Sequence, residues 1–273
     1  MKQVYTLTRA FGVLFLTIAI LVSCVDESET TDQSPVPVID PDAEGLTGNI
    51  VKYEGEIFSI PSPVQTAILI KKSGIEYNAE LLNDVGNSDK YINQFQKAMN
   101  MGVYGADLGY LTIYEQTDGA LRYLKSVRGL SKELGLDGAF DEKLADRFSS
   151  NIGNQDSMLV FVSDAYRNSD NYLKENDKND VAALVLAGGW IESIYIAADA
   201  AISSNNPLLI ERLGDQKKPL ASLIAMLGQY NTDTDYEDLI NELEDLYGIF
   251  DEIKYTYEYI PSSTDASKKE TTI

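Results

Sequence analysis

Two carboxylates stand in unusual company in this 273-residue chain. Asp107 lies within Met101-Gly102-Val103-Tyr104-Gly105-Ala106-Asp107-Leu108-Gly109-Tyr110, and Glu192 within Leu186-Ala187-Gly188-Gly189-Trp190-Ile191-Glu192-Ser193-Ile194-Tyr195. Each is the lone charge of a run rich in glycine and flanked by aromatic side chains. On a pocket wall, Asp107 and Glu192 would be polar anchors beside Tyr104, Tyr110, Trp190 and Tyr195, a lining that suits sugars, peptides or cationic ligands. A buried carboxyl with a raised pKa can also serve as a general acid. Two of them at the right separation would make a glycosidase pair. The plainer alternative is a pair of core acids partnered by Arg, Lys or Tyr hydroxyls, because unpaired burial is costly.

The rest of the composition narrows the chemistry. The chain has no histidine and one cysteine, Cys24. Ser-His-Asp and Cys-His nucleophile systems are therefore excluded. So are the usual zinc sites, and haem and iron–sulfur ligation lose their main ligands. No cofactor and no metal are expected. The formal net charge is −21, which repels nucleic-acid phosphates and anionic headgroups, so nucleic acid is not an expected partner.

A set of helices must position the two acids. Ser62-Pro63-Val64-Gln65 reads as a helix start, with Ser at the N-cap and Pro at the first helical position. Ser88-Asp89 is expected to open a second helix through Tyr91, Phe95, Ala98 and Met99. Thr117-Asp118 restarts the pattern, which stops near Gly135. Further helices fit Asp141 to Ser150, Asp156 to Glu175 and Asp180 to Ser203. Asn206-Pro207 is another cap and first-turn pair, and Pro219 fits the start of Leu220 to Tyr230. Thr234-Asp235-Tyr236-Glu237 reads as a capping box opening a long helix. Val51 to Ile60 has the makings of one short strand with no second strand to pair with it. Short connections favour antiparallel neighbours. The expected fold is an all-α bundle of about eight or nine antiparallel helices, with a superhelical stack of helix pairs as the alternative.

Glycine in a helix interior costs about 1 kcal/mol relative to alanine. Several such glycines in the two acid-bearing segments imply a return, namely close approach of one helix backbone to another. Val181 to Ala198 carries only Glu192 as a charge and is apolar enough for a membrane span to be weighed. Its closely spaced charged flanks favour a central core helix instead. Asn231-Thr232-Asp233-Thr234-Asp235, with Glu242 further on, partly resembles an EF-hand loop. Tyr236 stands where the turn glycine belongs, and a helix start explains the same residues.

The N-terminus specifies an address. Lys2 and Arg9 precede the apolar stretch Ala10 to Val22, which is short for a span and fits a secretory signal. It ends in Leu21-Val22-Ser23-Cys24, which resembles the lipobox of bacterial lipoproteins. That resemblance implies cleavage before Cys24 and a lipid on its thiol. The acidic, proline-punctuated stretch that follows, including Asp26-Glu27-Ser28-Glu29, buries too little apolar surface to fold and reads as a tether. The expected organisation is a signal over residues 1–23, a lipidated tether over 24–57, one helical domain over 58–260 and a disordered tail over 261–273.

The lipobox, the tether and the segments around Tyr104-Gly105-Ala106-Asp107-Leu108 and Gly189-Trp190-Ile191-Glu192 together resemble helical lipoproteins of Bacteroidota. The resemblance implies anchorage in the outer membrane at the cell envelope, with surface exposure if the acidic stretch acts as an export signal. Two functions are then expected to compete. One is a non-enzymatic module that binds an envelope protein, peptide or glycan. The other is a carboxylate-dependent hydrolase of glycans.

Overall fold

The computed structural model describes residues 49–53, 56–60, 63–136, 142–151, 175–231, 233–254, 263–265 and 270–272, with isolated positions between 157 and 172. All of these fall within one unit, residues 38–273. Cys24, its signal and most of the tether lie outside them, as do Ser62 and most of the helix expected over Asp156 to Glu175.

Eight α-helices occur among the described residues: α1 (Pro63–Lys72), α2 (Gln94–Ile113), α3 (Thr117–Glu133), α4 (Glu142–Asn151), α5 (Asn179–Ser204), α6 (Pro207–Gly214), α7 (Lys217–Gly228) and α8 (Thr234–Asp251). The all-α reading holds for the body of the protein. Two short antiparallel hairpins flank it. β1 (Asn49–Tyr53) pairs with β2 (Glu56–Ile60), and β3 (Ser263–Asp265) with β4 (Glu270–Thr272). The stretch Val51 to Ile60, expected as one strand, is thus most of a hairpin that overlaps the end of the expected tether. The second hairpin falls in the segment expected to be disordered.

Local chemistry explains several helix ends. Asn206 accepts a hydrogen bond from Leu208 N at 2.9 Å, with Pro207 following at the first helical position. α3 ends as anticipated, with Gly135 at φ 69° and Lys178 Nζ donating to Leu134 O at 2.7 Å. A cation there satisfies a terminal carbonyl and complements the helix dipole. At the end of α2, Lys71 Nζ does the same for Ile113 O at 2.6 Å.

Two starts differ from the sequence reading. Ser88-Asp89 belongs to a 3₁₀ turn over Val85–Lys90, and α2 begins five residues beyond Asp89, capped by Asn93, whose Oδ1 accepts from Gln96 N at 2.8 Å. A polar pair followed by apolar residues fits either site, and the 3₁₀ turn takes the first. The cap of α8 is Asp233 rather than Thr234, with Oδ1 accepting from Tyr236 N at 3.2 Å. Asp233→Ala should therefore lower stability by about 1 kcal/mol, whereas Thr234→Ala should stay within about 0.5 kcal/mol. Paired urea titrations check this, and the reverse ranking would move the cap.

The directions of the helices are mixed. α2 and α3 form an antiparallel hairpin, with Lys97 bridged to Glu133 at 2.7 Å near one end and Leu111 packed on Gly119 at the other. α2 and α5 instead run side by side in the same direction. Gln94 bonds Asp180 at 3.1 Å, Met99 meets Gly188, Gly102 meets Gly189, and Tyr110 and Ile196 line one small void. The antiparallel expectation rests on short connections, and α2 and α5 are not joined by one. The intervening chain supplies the return that a parallel pair requires.

The α2–α5 seam is the centre of the core. A methyl group built on Gly102 would overlap the carbonyl oxygen of Val185 and lie 2.7 Å from Gly189 N. One on Gly188 would overlap Met99 O. The glycine α-hydrogens fill those spaces and face the carbonyls, a recurring weak contact between closely packed helices. Gly102 with Ala106, and Gly189 with Ser193, put small residues four apart on both sides of the seam, the spacing that lets helix backbones approach. α5 is long and apolar enough to cross a membrane, but 72% of its most apolar stretch is buried in the protein. Most of it serves as a core helix, packed against the rest of the protein.

Candidate functional site

The seam brings Asp107 and Glu192 together. Asp107 points from α2 and has no exposed surface, and Glu192 points from α5 and retains 9% exposure. The two carboxyl groups are within hydrogen-bonding reach of each other. Asp107 Oδ2 accepts from Asn83 N at 3.2 Å. Its Oδ1 is buried without an N–H, ammonium or hydroxyl donor. Two carboxyl groups can bond each other only if one carries a proton.

Burial and mutual charge make the pair hold a proton. Burial first, and then the neighbouring Glu192 charge, together push Asp107 up to about 9 against the opposing Asn83 amide. Burial pushes Glu192 up to about 7, and its hydrogen bond to Asp107 works in the opposite direction. Both carboxyls are thus held above the ordinary carboxylate range, and the pair retains a proton where an exposed acid would release it. Like charges at such range cannot both ionise without strong repulsion in a low-dielectric interior.

Asn83 organises the other side of Asp107. Besides the amide that serves Asp107, its carbonyl accepts from Tyr123 Oη at 2.9 Å, and its Oδ1 accepts from Asn87 Nδ2 at 2.8 Å. Its Nδ2 donates to Tyr91 Oη at 2.8 Å and to Asn100 Oδ1 at 3.2 Å. Every polar group of Asn83 is engaged, so the segment before α2 is fixed against α2 and α3. Nothing in the sequence marks Asn83 or Tyr123 for this role, because a lone Asn between two short turns carries no periodic signal, and Tyr91, expected inside the second helix, lies before its start.

The aromatic residues expected to line one pocket are dispersed. Tyr104 is buried with its ring edge-on to Tyr123 at 5.7 Å, and its hydroxyl donates to Asp84 O at 2.9 Å. Tyr110 packs on Tyr114 at 4.7 Å and accepts from Asn78 N at 3.1 Å. Trp190 is 2% exposed, and its indole N–H donates to Gln216 Oε1 at 3.3 Å. Tyr195 is 53% exposed. Of the six residues singled out, the structure joins Asp107 to Glu192, places Tyr104 beside Asp107, and leaves the other three in separate surroundings. Burial raises the phenol pKa of Tyr104, Tyr110 and Tyr123, keeping them neutral.

The arrangement differs from that of a glycosidase pair. A glycosidase pair needs its carboxyls roughly 5–10 Å apart with a sugar between them. Here they meet each other. A void near the seam, lined by Pro63, Thr66, Ala67, Ile70, Ala106, Tyr110, Ser193 and Ile196, measures about 10 Å³, room for about one water. Among the described residues, no three Asp, Glu, His or Cys side chains converge as a metal site would require. The loosely calcium-like stretch Asn231 to Asp235 leads into α8 through the Asp233 cap.

The outer surface has a different character. Tyr195 and Ile202, at 53% and 83% exposure, share one face of α5, and half-exposed Leu208 and Ile210 follow on α6. No family model, curated protein or solved structure matches the chain.

Proposed function

We propose that this protein is a non-enzymatic interaction module, held at the cell envelope by a lipid on Cys24, that engages an envelope protein, peptide or glycan through its surface. The observation that carries this reading is the enclosure of Asp107. The acids best suited to catalysis face each other inside the seam, so recognition falls to the exterior. The apolar side chains of Tyr195 and Ile202 on an otherwise acidic, well-solvated protein favour a contact face along α5. The resemblance of Leu21-Val22-Ser23-Cys24 to the lipobox of bacterial lipoproteins supports the anchor. The net negative charge argues against nucleic acid as the partner.

Two measurements test the two halves of this reading. A palmitate analogue fed to the native host should label the wild-type protein and not Cys24→Ala, and retained label would remove the anchor. A photo-crosslinking residue at Tyr195 or Ile202 should give discrete adducts in intact envelopes, whereas one at Lys125, on the exposed face of α3, should not. Equal adducts from all three positions would count against a contact face on α5.

A further inference from the structure

We propose that Asp107 and Glu192 together form a proton-binding site that controls how tightly α2 and α5 close. Three features of the geometry converge on it. The two carboxyls come from opposite sides of the seam, and Asp107 has no exposed surface. Asp107 Oδ1 is buried with no hydrogen-bond donor, an acceptor that a proton on the carboxyl pair would relieve. The glycine contacts at Gly102 and Gly188 hold the helix backbones against each other about one turn away, so repulsion between the carboxyls acts directly on that contact.

The groups around the pair leave the proton as its means of neutralisation. From α2, Tyr104 faces Asp107; from α3, Tyr123; from the segment before α2, Tyr77. All three phenols are held above their ordinary range by burial, so they remain neutral while the carboxyls titrate. Arg122 acts on Tyr77 and Tyr123, and Asp84 on Tyr123. From α1, Lys71 is committed to Ile113 O and Glu115. Among the described residues, none of these cations contacts the pair.

The sign follows from linkage. Both carboxyls bind a proton more tightly in the folded chain than in the unfolded one. Between the unfolded values near 4 and the folded values near 7 to 9, the folded state holds protons that the unfolded state has released. The pair's contribution is complete below about pH 4 and is lost as pH rises through 7 to 9. Mildly acidic medium closes the seam, and alkaline medium loosens it.

The test compares the full wild-type chain with Asp107→Asn and Glu192→Gln in urea titrations at pH 5, 7 and 9, read by the emission of Trp190, the sole tryptophan. The wild-type folding constant should fall more than about tenfold between pH 5 and 9. Each variant should lose much less, because an amide keeps the hydrogen bond without the second charge. Parallel losses in all three proteins would overturn the proposal. Should the variants fail to fold, carboxyl carbon NMR of the wild type decides. Two carboxyls titrating above pH 6 are expected, and a protein in which every carboxyl titrates below pH 6 does not contain this site.

Discussion

Gly102→Ala should be among the most damaging single substitutions in the protein, lowering stability by about 4 kcal/mol or more, above the usual range for overpacking. The added methyl meets the backbone of α5 at Val185 and Gly189 rather than a side chain that can swing aside. The helices must part, and the apolar packing along the seam is lost with them. Gly188→Ala, which presses on Met99 O from the other side, should behave alike. The control is Gly129→Ala on the exposed face of α3. A methyl there meets nothing within 4 Å, so the same substitution should stabilise by about 0.5–1 kcal/mol through helix propensity alone. Urea midpoints of the three variants measure the contrast. A mild effect at Gly102 would mean that α2 and α5 are not in backbone contact.

Trp190→Ala should cost about 3–5 kcal/mol, the range for removing a large aromatic side chain from a core. The indole is fully enclosed by its neighbours and leaves Gln216 without its donor when removed. Trp190→Phe, which preserves most of the volume, should cost clearly less. This bears on any binding assay. A loss of ligand on Trp190→Ala reports unfolding, whereas Tyr195→Ala, at an exposed position, should leave stability within about 0.5 kcal/mol and isolates the surface contribution. A Trp190→Ala protein with an unchanged urea midpoint would remove Trp190 from the core.

The parts of the fold that could be read from the chain are those with a local cause. Asn206-Pro207 marks a helix start unambiguously because both residues suit only that position. The glycines of the Asp107 and Glu192 segments announced close helix packing because their propensity penalty demands an offset. What could not be read has an equally physical origin. α5 is apolar on nearly every side, so it has no amphipathic phase to show that Trp190 turns inward and Tyr195 outward. The same lack of phase hides that Glu192 turns toward Asp107. The relative direction of α2 and α5 was equally hidden, because a long intervening chain can bring a helix back either way. Asn83 escaped notice because its importance lies wholly in tertiary hydrogen bonds.

The parallel seam also bears on the order of folding. The α2–α3 hairpin joins neighbours in the chain and can close within a short loop. The bond from Gln94 to Asp180 spans 86 residues, so the central joint is high in contact order and carries a larger loop-closure entropy. α5 therefore docks late. Until it does, its nearly uninterrupted apolar surface is open to self-association, and the step most in need of protection in a cell is the arrival of this one helix.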